Sequence, residues 1–182
     1  AYEAMRHRER VRLVIAGYSL GDEEDFLKSE VARRRIPGVE FPGFQQGEDL
    51  TRLYSNARCV VMPTLWYENM PNVVLETMAY GKPVVGSNLG GVAEVIDDGV
   101  DGLLFEPGSA SALSEQLDRL AVDDDFVRSL GVAARSKVCP VARLVNRNRC
   151  ARKRVPWLPP WPTALGSARL TNSRESSHSR HG

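Results

Sequence analysis

Short, continuously apolar runs alternate with segments of helical period from Val11 to Lys137, and that alternation leaves few folds open. Val11–Gly17, Val39–Phe44, Cys59–Pro63, Val84-Val85 and Leu103–Phe105 read as strands, because unbroken apolar runs suit strands covered on both faces. Between them, Asp22–Arg35 has helical spacing at Phe26, Leu27 and Val31, with acids in its first turn and arginines in its last, as the helix dipole favours. Glu48–Asn56 repeats the pattern with Leu50, Leu53 and Tyr54. Ala110–Leu120 and Phe126–Lys137 close the unit as amphipathic helices, with Asp123 or Asp125 as the cap of the second. Such a sequence predicts an α/β fold with a doubly wound parallel sheet, its ligand lying at the carboxyl ends of the strands. Gly17, Phe44, Thr64, Glu68 and Ser87 all fall at such ends.

The stretch from Glu68 to Pro83, E-N-M-P-N-V-V-L-E-T-M-A-Y-G-K-P, reads as a loop with one carboxylate, then a short helix with a second, then a stop. Pro71 suits the first helical position, where its missing N–H is no loss. Val73, Val74, Leu75, Met78 and Ala79 cover much of the circumference and predict a largely buried helix. Gly81 and Pro83 end it. The helix start, near Asn69, Met70, Pro71 and Asn72, offers backbone N–H groups and the positive end of the dipole to an anion. Asn72 and Glu76 share a face, about 6 Å apart along the axis. A diphosphate followed by a ribose with vicinal hydroxyls has the matching layout, both hydroxyls donating to one carboxylate. Glu68 is placed to accept from a sugar beyond the phosphates.

These residues resemble the E-x7-E segment of retaining, nucleotide-sugar-dependent glycosyltransferases of the GT-B fold, the family-four type. Supporting pieces stand in family order: V-R-L-V-I-A-G at 11–17, V-E-F-P-G-F at 39–44, C-V-V-M-P-T at 59–64, G-S-N-L-G-G-V-A-E at 86–94 and D-G-V-D-G-L-L-F-E-P-G at 98–108. The resemblance implies a Rossmann-like, C-terminal donor-binding half of a GT-B fold, spanning residues 1–138 and incomplete at its start. It implies transfer of a sugar from a nucleotide-diphosphate donor to a saccharide or lipid acceptor with retention. Glu68 would accept from the donor sugar and act as the catalytic carboxylate, Glu76 from the ribose. Phe44 would border the base, and Gly90-Gly91 would lie near the donor. No metal or other cofactor is implied, the diphosphate being held by helix amides and basic side chains. The N-terminal acceptor domain is missing from the sequence, so this chain alone is expected not to transfer sugar, and the full-length enzyme would be free to associate peripherally with membranes.

The 182 residues carry 24 Lys/Arg and 23 Asp/Glu, yet nine of the basic residues and a single acid, Glu175, lie beyond residue 138, so the body stands near −7 and the tail near +8. In residues 139–182 a periodic pattern survives only at Val141–Val145, and Pro156, Pro159, Pro160 and Pro162 surround Trp157 and Trp161. Such a basic, Pro/Arg/Ser-rich tail buries too little to fold alone and reads as disordered or aberrant. No nucleic-acid partner is expected. The absence of an apolar run long enough to span a bilayer, and three cysteines without a pairing pattern, suggest a cytoplasmic protein.

Alternatives stand beside each reading. Glu76 could be an exposed helical residue, Glu68 a solvated loop acid and Asn72 a cap. Gly17 opens a G-x3-G loop that could cradle phosphate or simply end a strand. Lys82 reads as a solvated charge, Cys59 as core, and His178-x-x-His181 as no metal site. Whole-chain alternatives are a binder of nucleotide sugars or inert fragment, and a non-transferase GT-B relative such as a sugar-nucleotide epimerase.

Overall fold

The computed structural model describes residues 1–17 and 21–145, with backbone alone for 140–145. Two short 3-10 turns, Tyr2–Ala4 and Arg8–Arg10, precede an alternating series: β1 Leu13–Ala16, α1 Glu23–Arg34, β2 Val39–Gly43, α2 Gly47–Asn56, β3 Val60–Met62, α3 Asn72–Ala79, β4 Val84–Ser87, α4 Gly90–Val95, β5 Gly102–Phe105, α5 Ala110–Val122 and α6 Asp124–Val145. Every strand pairing is parallel, as expected, but the hydrogen bonds form two ladders, β1–β2 and β3–β4–β5.

The core is built around β4, whose four residues are all buried. Val84 joins a layer with Val74 and Met78 of α3, Val92 of α4, Ile96, and Ala134 and Val138 of α6. The next residue, Val85, joins a second layer with Leu103 and Phe105 of β5, Leu120 of α5 and Leu130 of α6. Consecutive strand residues face opposite sides, so β4 is covered on both faces, the condition under which parallel strands persist. At roughly 1.5–3 kcal/mol for each fully buried aliphatic side chain, these two layers are the main source of stability.

The first ladder is covered far less. Phe26 is 62% exposed, and Leu27 and Val14 are exposed as well, so the positions that give α1 its helical period do not enter the core. The start of the chain is held by the buried Met5 together with polar contacts. Asp118 of α5 accepts hydrogen bonds from the backbone N–H of Arg6 (3.0 Å) and of His7 (2.9 Å). Tyr2 donates to the carbonyl of Val11 at 3.1 Å.

Two helices differ from expectation. The helix α4 was not predicted, because Gly90 and Gly91 are poor helix formers and the segment is short. The last helix begins at Asp124, with Asp123 accepting from the N–H of Phe126 at 2.8 Å as its cap. It runs to Val145 instead of ending at Lys137, crossing both the expected boundary at 138/139 and Pro140. The helical backbone carries Pro140 although a proline inside a helix forfeits one backbone bond. The rest of the tail, with His178 and His181, lies outside the described residues. Among those described, no helix is long and apolar enough to cross a membrane.

Candidate functional site

Helix α3 forms largely as its sequence dictates. Val74, Thr77 and Met78 are fully buried, while Val73 and Asn72 face outward. Pro71 occupies the N-cap and not the first helical position, with Asn72 the first helical residue and no side chain capping the start. The far end closes as a Schellman turn. Gly81, at φ +69, donates to Met78 O (2.9 Å), and Lys82 N–H donates to Thr77 O (3.2 Å). Lys82 then enters the interior at 6% exposure, and burial pushes its ammonium below the usual lysine value. The expectation of a solvated charge is corrected here: the turn aims this side chain inward.

Glu76 lies on the half-buried face of α3. Its Oε2 accepts a hydrogen bond from the hydroxyl of Tyr54 on α2, at 3.3 Å. The Tyr54 ring stacks on Tyr80, with centroids 5.1 Å apart and planes at 16°. Tyr80 shares a hydrogen bond with Thr51 Oγ1 at 3.2 Å. A carboxylate in this partly apolar setting is thus met by the polar tip of an aromatic side chain, that of Tyr54. Tyr54 read only as an apolar position of α2, so its role here was missed.

The loop that carries Glu68 hangs from two fixed points. At one end Thr64 Oγ1 accepts the N–H of Trp66 (3.1 Å), and the N–H of Glu68 donates to Trp66 O (3.0 Å). At the other, the N–H of Gly91 donates to Glu68 O at 2.7 Å. The loop backbone sits so close to α4 that a Cβ on Gly91 would fall 2.1 Å from Asn69 O, and one on Gly90 would fall 3.1 Å from Glu68 O. Paired glycines were read as allowing close approach of a ligand; the close neighbour here is the backbone of 67–69. Leu65, Trp66, Tyr67 and Met70 are exposed along the loop.

The structure therefore gathers Glu68, Asn69, Gly90 and Gly91 at the carboxyl ends of β3 and β4, beside the Pro71–Asn72 start of α3. Glu76 lies one turn further along the same helix, turned to Tyr54 of α2. Gly17 and Phe44 lie at the ends of β1 and β2, where Gly17 N–H donates to Gly43 O at 3.0 Å and Phe44 is exposed. Residues 18–20 of the proposed phosphate loop are outside the described residues. Two shallow hollows of about 330 and 300 Å³, lined mainly by α5 residues such as Asp118, Arg119 and Val122, contain none of the predicted site residues.

A parallel α/β unit with a tightly held loop at its strand ends can be compared with known proteins. Residues 1–137 match the family described as Glycosyl transferases group 1. The chain belongs to this family. It is 38% identical over 120 residues to an uncharacterised glycosyltransferase of Methanocaldococcus jannaschii, covering 65% of this chain and 30% of that protein. Sucrose-phosphate synthase from Thermosynechococcus elongatus superposes at a TM-score of 0.65 and 30% identity, over 71% of this chain and 34% of that one. The crystal structure of Anabaena HepE in complex with UDP-glucose superposes at 0.62 and 24% identity, over 75% and 41%. This member of the family thus has part of a GT-B fold and spans 30–41% of the length of those relatives.

Proposed function

We propose that the face made by the ends of β3 and β4, the start of α3 and the Glu68 loop receives a nucleotide-diphosphate sugar. The observation that carries this is the position of Glu76, half-buried and one turn in from an uncapped helix start. In this reading the amides of Asn69, Met70 and Asn72 face the diphosphate, Pro71 having no N–H to give, and the helix dipole favours the charge that develops on it as the sugar leaves. Glu76 accepts from the ribose hydroxyls and Glu68 from the sugar, while Gly17 and Phe44 border the base and Gly90-Gly91 support the donor side. Charge on the leaving group is met by amides and basic side chains, and no metal is called for. HepE, solved with UDP-glucose, supports a nucleotide-sugar donor for this fold.

The enzyme would transfer the sugar with retention to a saccharide or lipid acceptor. The acceptor would sit in a second domain within the length that this chain does not span. A lipid acceptor would bring the whole enzyme to a membrane surface. A cytoplasmic site of action fits the same reading.

Isothermal titration of the chain with UDP-, GDP- and ADP-linked glucose and mannose tests the proposal. At least one should bind, with no change on adding EDTA, and Glu68→Ala or Glu76→Ala should each weaken it about tenfold or more. Absence of heat with all six, or affinities indifferent to both substitutions, would sink the reading.

A further inference from the structure

Tyr54 is 8% exposed, and a buried phenol hydroxyl must find an acceptor. It finds one 22 residues along the chain, at Glu76 Oε2. The ring that carries it is fixed in turn by its stack on Tyr80, and Tyr80 is tied back to Thr51, one turn before Tyr54 on α2. Thr51, Tyr54, Glu76 and Tyr80 are thus linked to one another, and the Tyr54 hydroxyl is the group that meets the carboxylate oxygen.

We infer that Tyr54 is a positioning residue, whose hydroxyl orients the Glu76 carboxylate for the vicinal hydroxyls of a ribose. The inference rests on the nucleotide-sugar reading above. A glutamate side chain turns about three bonds, and gripping both hydroxyls of a ribose requires one orientation of its carboxylate. Ordering that orientation before the ligand arrives removes an entropic cost from binding. A phenol suits the task better than a cation would. It donates one hydrogen bond without neutralising the carboxylate, which stays a strong acceptor for other hydroxyls. The donor is also persistent: burial first, then the charge and hydrogen bond of Glu76 and the neighbouring Tyr80, push the Tyr54 hydroxyl up from 10.0 to about 12. A raised value in the folded state means that this contribution to stability is complete below about pH 10 and is lost between there and about pH 12.

Two measurements test the inference. In the first, the chain is titrated with UDP, GDP and ADP and with their 2′,3′-dideoxy counterparts. Wild type should prefer the ribose form, and Tyr54→Phe should keep the diphosphate-driven affinity while losing about fivefold of that preference. In Glu76→Ala the same change should cost nothing further. In the second, the absorbance of ionised tyrosine is followed against pH, with Tyr54 isolated as the difference between wild type and Tyr54→Phe. Glu76→Gln should lower the Tyr54 value from about 12 part of the way to 10.0, burial retaining the rest. A ribose preference unchanged in Tyr54→Phe, or a Tyr54 titration indifferent to Glu76→Gln, overturns this inference alone. Failure of wild type to bind any of the nucleotides overturns it together with the nucleotide reading.

Discussion

Replacing Gly91 by alanine tests how the Glu68 loop is held against the sheet. The added Cβ would lie 2.1 Å from Asn69 O and 2.8 Å from both Asn69 C and Glu68 O. Ordinary contact begins at 3.4 Å, so either the loop or α4 must retreat by about 1.3 Å. Gly91 is outside the left-handed region, so backbone strain adds nothing. The retreat also stretches the 2.7 Å bond from Gly91 N–H to Glu68 O. Overpacking and a weakened bond together amount to about 2–4 kcal/mol. For a domain of this size that is a fall in Tm of about 6–15 °C. Since Glu68 is assigned to the sugar, affinity for UDP-glucose should drop about tenfold more than affinity for UDP if UDP-glucose is the donor. Scanning calorimetry and isothermal titration read the two effects. Gly99→Ala is the control, with φ +74 but nothing within 4 Å of its Cβ, so it should cost only about 1–2 kcal/mol of conformational strain. A Gly91→Ala protein melting within about 2 °C of wild type would refute the claim that this backbone contact is tight.

Gly131→Ala sets two effects against each other. Alanine in mid-helix gains about 1 kcal/mol of propensity, but its Cβ would meet Gly81 O at 2.2 Å, so a net loss of about 1–3 kcal/mol in urea denaturation is expected; a gain would mean that α6 can shift away from the end of α3. Lys137→Ala removes Nζ from Asp101 (2.7 Å) and Asp97 (2.9 Å) and from the carbonyl of Val95 (2.6 Å). With the Asp101 side chain 3% exposed, the loss should be about 2–4 kcal/mol, partly recovered in Lys137→Ala/Asp101→Asn. Unchanged stability on removing the lysine would count against the cluster.

What could be read from the sequence was local. Strand positions, the start and stop of α3 and the turn at 97–102 follow from apolar runs, glycines and prolines whose effects reach only a few residues. The Schellman turn at Gly81 is the clearest case, because its two bonds lie within six consecutive residues. The misses are those that depend on distant partners. Tyr54 looked like one more apolar position until its hydroxyl was seen on Glu76, and Lys82 looked solvated until the fold carried it inward. Phe26 and Leu27 gave a correct helix and yet stay exposed, because spacing reveals which residues share a face and not what packs on it. The six-residue α4 went unread because its glycines signal flexibility locally, whereas their purpose is to leave room for another stretch of backbone. For the candidate site, both glutamates were legible as types in a pattern, while the groups that hold them were not.

Among the described residues the strands form two ladders that do not pair with each other, and Tyr54 and Tyr80 meet across the divide. Helix α2 follows the first ladder; α3 belongs to the second. The Glu76 carboxylate is consequently fastened at a joint, so any slippage between the two ladders would change the aim of that one side chain.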